Sequence, residues 1–246
     1  FKSIFNLSPS KIMQISVAHE YFHGIQWGYR KSTFGSKYFY EMTSTWFEDI
    51  LIPDGNDYLD GWADDLLKNP TAAFDNTGGG YELALFGHYL SSYIDPSGVE
   101  DEKNSTIMRE IWERYGSTSS NAIHSVEYVL EDSYYNTSFI EVWVDFISRN
   151  LYNGIYEDMD NDFYYYSDQA LIDPIQTNTS TLKDSIRFEL DLDNKSVAIQ
   201  SYSIDDLKTI VDIKHEFGDY IGKVATVSRE SDVNDMFWNM DSKSQE

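Results

Sequence analysis

The 246-residue chain has no cysteine, only five prolines, and just 18 basic residues against 42 acidic ones. Without cysteine there is no disulfide staple and no thiolate to act as nucleophile or metal ligand. The compartment stays open, because many exported bacterial and archaeal proteins also lack cysteine. The shortage of positive charge leaves a net charge of −24. Both parts of the chain share it: 10 basic against 27 acidic residues up to residue 170, and 8 against 15 beyond it. A protein that grips phosphate backbones or anionic lipid needs the opposite sign, so nucleic acid and anionic membranes are excluded as partners. No apolar run approaches the roughly 18 residues of a membrane-spanning helix.

What is present reads as an ordinary globular protein with a sizeable core. Hydrophobic residues make up 41% of the chain and aromatic residues 16%, with 19 tyrosines. That aromatic content argues against a disordered tail. Asn-x-Ser/Thr sequons stand at Asn6, Asn104, Asn136, Asn178 and Asn194, about twice what composition alone gives. They point to an extracellular or cell-surface protein. The chain opens on Phe1 with no charged and apolar leader behind it, so it reads as a mature or trimmed piece.

The first part of the chain has helical periodicity. Ser8-Pro9-Ser10 is a helix start, and Ile12, Ile15, Ala18, Phe22, Ile25 and Gln26 follow at steps of three and four. Gly28 and Arg30-Lys31 close that helix. A second helix is expected from Lys37 to Leu51, stopped by Pro53-Asp54-Gly55. Further helices are expected over Tyr58–Lys68, Tyr81–Ile94, Thr106–Tyr115, Asn121–Asp132 and Ser138–Tyr152. The period then changes to two: Ile186–Leu192 alternates strictly, and Val197–Ile199, Ile210–Ile213 and Val224–Val227 look like further strands. Helices followed by strands predict an α+β protein, with a mostly helical domain over 1–172 and a small β-rich, sandwich-like region over 173–246.

The chemistry concentrates in His19-Glu20-Tyr21-Phe22-His23, an HExxH motif. Two histidines at i and i+4 share one helix face, so both imidazoles can hold one zinc ion. Glu20 beside them can serve as general base toward a metal-bound water. With this composition, chance produces the pattern about 0.007 times in such a chain, so accident is a poor explanation. Polar residues on a solvated helix face are the bland alternative. Ile15, Phe22 and Ile25 weigh against it, since they bury part of the helix and make unpartnered polar groups costly there.

A catalytic zinc needs a third protein ligand. No third histidine follows nearby, but the Lys37–Leu51 helix offers Glu41, Glu48 and Asp49. Glu41 comes 18 residues after His23, room enough for a loop and an antiparallel return.

Here the chain resembles the gluzincin metallopeptidases, and within them the aminopeptidase-N-like and thermolysin-like group. Tyr40-Glu41-Met42-Thr43-Ser44-Thr45-Trp46-Phe47-Glu48 is similar to that group's second signature, although Met42 stands where glycine is common. The resemblance implies Glu41 as the third zinc ligand. Tyr81-Glu82-Leu83-Ala84-Leu85-Phe86 resembles a further helix of the aminopeptidase-N-like branch, with Leu83-Ala84 in place of its Lys-Gly. It implies that the Tyr81 hydroxyl stabilises the oxyanion. His19–Gln26 and Glu41–Asp49 are also similar to HEFFHAIQ and EGTATWMED segments of secreted bacterial metalloproteases. The resemblance spans roughly residues 8–115, and the GAMEN motif for a free substrate N-terminus is absent.

Other candidates are secondary. His88, two turns beyond Tyr81, is an alternative electrophile. Glu48 and Asp49 are candidate acceptors for a ligand histidine N–H. Asp158–Asp162 has the start of a calcium loop but not its glycine or terminal glutamate, and Asp54, Asn56, Asp57 and Asp60 form a similar oxygen cluster, so calcium is a second candidate cofactor. His124 and His215 read as incidental, and Tyr164–Tyr166 as packing. The expectation is a secreted zinc-dependent hydrolase of peptide or protein substrates. The alternative is a non-catalytic surface or binding module with a structural or vestigial zinc site.

Overall fold

The computed structural model describes residues 7–33, 35–59, 61–69, 74, 79–150, 153–154, 164–173 and 175–176, together with the backbone of four strands between 178 and 244. The expected strands at 186–192, 197–199 and 210–213, and the acidic run at 158–162, lie outside the described residues. The described residues divide into two compact units, a helical one up to Gln176 and the strands from Asn178 onward. The described residues are mostly helical.

Helix α1 (Pro9–Tyr29) starts where the sequence places it: the Ser8 side chain accepts from the Lys11 N–H, and Pro9 fills a position whose N–H would have no helical partner. Its end is marked by the Arg30 N–H donating to the Gln26 carbonyl at 2.9 Å. Helix α2 (Lys37–Leu51) returns antiparallel along α1. Gln26 meets Tyr40 near one end of the pair, and His19 meets Glu48 near the other. The expected helix over Tyr58–Lys68 is broken. A 3-10 turn at Asp57–Leu59 precedes α3 (Trp62–Lys68), and Gly61 between them has φ +104°, outside any right-handed helix.

The segment expected over Tyr81–Ile94 is continuous but not uniform. A 3-10 turn at Tyr81–Leu83 leads into α4 (Ala84–Tyr89), which widens into a π turn over Leu90–Ile94. Ser91 and Ser92 donate their hydroxyls back to the Gly87 and His88 carbonyls, competing with the backbone ladder where it widens. Helices α5 (Ile107–Ser117), α6 (Ala122–Leu130) and α7 (Phe139–Arg149) complete this unit, the last with a Ser138/Glu141 capping box. The aromatic residues build its core. Phe86 packs against Phe74 and Trp143, each at 5.3 Å between ring centroids, and Phe39 lies 4.7 Å from Trp112. Each such buried ring contributes about 1.5–3 kcal/mol.

In the second unit, β1 (Asn178–Leu182) pairs in parallel with β2 (Gln200–Ile204), and β3 (Lys223–Arg229) pairs antiparallel with β4 (Trp238–Ser244). The expected strand at Val224–Val227 lies inside β3. Among the described residues no helix is long and apolar enough to cross a membrane.

Candidate metal centre

Helix α1 faces α2 with Ile15, Ala18, Phe22 and Gln26. His19 and His23 lie on the edge of that stripe, so their rings point along the seam toward Glu41. The Nε2 atoms of His19 and His23 lie 3.3 and 3.5 Å from the same Glu41 oxygen. The ligand atoms of the three residues all fall within 4.8 Å of one another, and among the described residues no other histidine or carboxylate cluster could hold a metal ion. Asp54, Asn56 and Asp57 are not part of that cluster. Asp54 pairs with Lys11 at 2.5 Å on the surface instead, and Asp60 lies outside the described residues.

The other ring nitrogens are anchored. His19 Nδ1 donates to Glu48, and His23 Nδ1 lies 2.7 Å from Gln26 Oε1 and 3.1 Å from Ser44 Oγ. The fully buried Gln26 fixes the chemistry of that contact. Its other amide atom lies 2.9 Å from the Tyr40 carbonyl, which can only accept, so that atom is the NH2 group and Oε1 faces His23. His23 must then carry its proton on Nδ1, and Glu48 imposes the same tautomer on His19. Both Nε2 lone pairs are left for a cation.

The electrostatics agree with a site built to gather positive charge. Burial works against the charged form of Glu41, but hydrogen bonds from His19, His23 and Tyr81 outweigh it and hold its carboxyl well below the usual range. Burial alone would lower His19, yet Glu41 and Glu48 together raise it to about 9. His23 is raised chiefly by its hydrogen bond to Glu41. Burial pushes Glu48 up to about 7, against the pull of His19.

Tyr81 is brought to this cluster. Its ring stacks on His19 with centroids 5.8 Å apart, and its phenol interacts with the Glu41 carboxylate. A glycine allows the approach. Gly80 has φ +105°, and a Cβ there would sit 2.0 Å from the Tyr38 carbonyl oxygen of α2. Glu20 is exposed on the open side of α1, close enough for its charge to act on Tyr81.

His88 is not part of the cluster. Fully buried, it lies with Nδ1 2.8 Å from Glu102 and Nε2 3.8 Å from Asp49, and its ring stacks 4.3 Å from Tyr166. Asp49 faces His88 and the Tyr166 hydroxyl rather than a ligand histidine, so Glu48 alone of that pair supports the triad. Tyr165 and Tyr166 are packed in the interior. Gln26 and Ser44 were not among the sequence candidates. The signal for Gln26 was a lone amide in an apolar stripe, three residues after His23.

An open cleft lies farther back along α1, between Met13, Val17 and Tyr21 and the end of α2 near Leu51, and no residue of the cluster lines it. Comparison with protein families, with curated proteins and with solved structures finds no match to this chain.

Proposed function

We propose that this chain is a zinc-dependent metallopeptidase of the gluzincin kind, in which His19, His23 and Glu41 hold the metal and Glu20 is the general base. The observation that carries the reading is the convergence of two imidazole Nε2 atoms and one carboxylate oxygen, with each Nδ1 already committed to a partner. Two nitrogens and one carboxylate oxygen are a donor set that catalytic zinc takes, with a fourth position open. Zinc bound there supplies Lewis acidity, polarising a carbonyl and lowering the pKa of a coordinated water toward about 7.

The chain's own residues supply the rest. Glu20, exposed beside the cluster, accepts the proton of the attacking water and passes it to the departing amine. Tyr81, held protonated by burial and Glu41 with a pKa of about 12, donates to the oxygen on which negative charge builds. His88 is passed over for that role because it is buried and engaged with Glu102. Glu48, Gln26 and Ser44 hold the imidazoles in tautomer and direction.

A peptide or protein substrate and an extracellular or cell-surface setting belong to this reading. So does a small β-rich region after the catalytic part, supported by the pairings β1–β2 and β3–β4. Calcium at residues 158–162 rests on composition alone. The test is hydrolysis of an unfolded protein such as casein by the zinc-loaded chain, lost with chelator and restored by zinc. Zinc binding without any hydrolysis would move the site to the other reading, a binding module with a structural or vestigial metal.

A further inference from the structure

Beside the triad lies an aromatic surface that the proposed reaction does not use. Trp62 is the first residue of α3, placed there by Gly61, whose φ of +104° turns the chain out of the preceding 3-10 turn. No atom crowds the position a Gly61 Cβ would take, so the glycine serves the dihedral and not a close approach. The Trp62 indole stacks on Tyr81 with centroids 4.7 Å apart and planes inclined by 27°. Tyr81 in turn stacks on His19 at 5.8 Å and 14°. A series of stacked rings thus leads from a metal-ligating imidazole outward to an indole that is 44% exposed. Trp46, Trp112 and Trp143 are all buried in the core. Trp62 keeps its apolar surface in water within a few ångströms of the residue expected to meet the substrate carbonyl.

We propose that Trp62 determines specificity: its open face is the shelf on which a bulky aromatic or aliphatic side chain of the substrate, flanking the cleaved bond, is laid. A flat indole gains most from a flat or broad apolar partner. Glu20 is exposed beside the cluster and its charge reaches Tyr81, so an acidic side chain is disfavoured there by like charge. A cationic side chain over the indole is the competing occupant, and it is separated from the apolar one by experiment. The inference rests on the peptidase reading for its substrate, and a binding titration tests it apart from hydrolysis.

That test uses one peptide sequence with Phe, Leu, Ala, Lys or Glu beside the cleaved bond. It is assayed on the zinc-loaded chain and on Trp62→Ala and Trp62→Phe. The wild-type protein should favour Phe over Ala by roughly tenfold or more in kcat/KM, carried by KM. Trp62→Ala should remove most of that preference while leaving the Ala peptide within about threefold, and Trp62→Phe should restore most of it. If Trp62 only steadies Tyr81, kcat will fall equally for every peptide and the proposal is overturned. A preference for Lys, or an unchanged preference in Trp62→Ala, overturns it as well.

Binding is read separately in Glu20→Gln, where the same peptides are titrated by tryptophan fluorescence with and without Trp62→Ala. Phe-selective binding that depends on Trp62 upholds the shelf even if the wild-type chain hydrolyses nothing. Equal binding of the Phe and Ala peptides sinks it even if the chain proves to be a peptidase.

Discussion

Gln26 presents its amide oxygen to His23 Nδ1 at 2.7 Å because its NH2 group is consumed by the Tyr40 carbonyl, Thr43 and Ser44. One buried amide therefore ties the tautomer of a ligand histidine to the packing of α1 on α2. Replacing it with leucine, of similar volume, removes that acceptor and the amide donor that Tyr40, Thr43 and Ser44 share. Gln26→Leu should weaken zinc binding by about 10–100-fold and lower stability by about 1–3 kcal/mol. Chelator competition and urea unfolding measure the two effects. Unchanged zinc affinity would remove Gln26 from the site.

Glu20 and the ligands are separable by one atom. Glu20→Gln keeps the shape of an exposed side chain and cannot accept a proton. Hydrolysis should fall by about 10²–10⁴-fold, with zinc content and thermal unfolding unchanged. Substantial residual activity would refute Glu20 as the base.

Tyr81 and His88 lie on one continuous helical segment but in different surroundings, and two variants tell them apart. Tyr81→Phe should lower kcat by about a hundredfold, with KM and zinc content nearly unchanged. His88→Ala should instead cost about 2–4 kcal/mol of stability by opening a cavity and leaving Glu102 short of a partner, while zinc stays bound. A crippled His88→Ala of normal stability beside an active Tyr81→Phe would exchange their roles.

Metal uptake should depend on pH in a fixed direction. In the metal-free protein Glu41 and Glu48 raise His19 to about 9, so its protonated form prevails at neutral pH. Zinc takes the neutral imidazole, so loading must expel that proton. Apparent affinity should rise as pH climbs toward about 9 and fall as pH drops. Glu41 is already ionised and releases none. Calorimetry at pH 7 in buffers of different ionisation enthalpy should show about one or more protons released per zinc; no release would mean that His19 is already neutral in the metal-free protein, against the pull of Glu41 and Glu48.

Much of the helical scaffold was readable from local signals. Ser8-Pro9 starts α1, Pro53-Asp54-Gly55 follows the end of α2, and the i, i+4 histidines with an antiparallel return anticipate the meeting with Glu41. What was hidden depended on long-range packing or on a single dihedral. The helix expected over Tyr58–Lys68 breaks because Gly61 adopts a left-handed φ that periodicity cannot reveal. The partners of His88 come from three distant stretches, at Asp49, Glu102 and Tyr166, so its sequence spacing from Tyr81 said nothing of where it points. Trp62 falls inside the helix expected over Tyr58–Lys68 with nothing in the sequence to single it out, and only its stacking on Tyr81 places it at the site.

The central claim is that three side chains on two helices hold one metal ion. Elemental analysis of the purified chain after zinc loading and extensive dialysis, beside His23→Ala treated alike, tests it most directly. The account predicts about one zinc per wild-type chain and no stoichiometric zinc in the variant, because two remaining ligands bind far more weakly. A wild-type chain that emerges without zinc, or a His23→Ala chain that keeps a full equivalent, would contradict it.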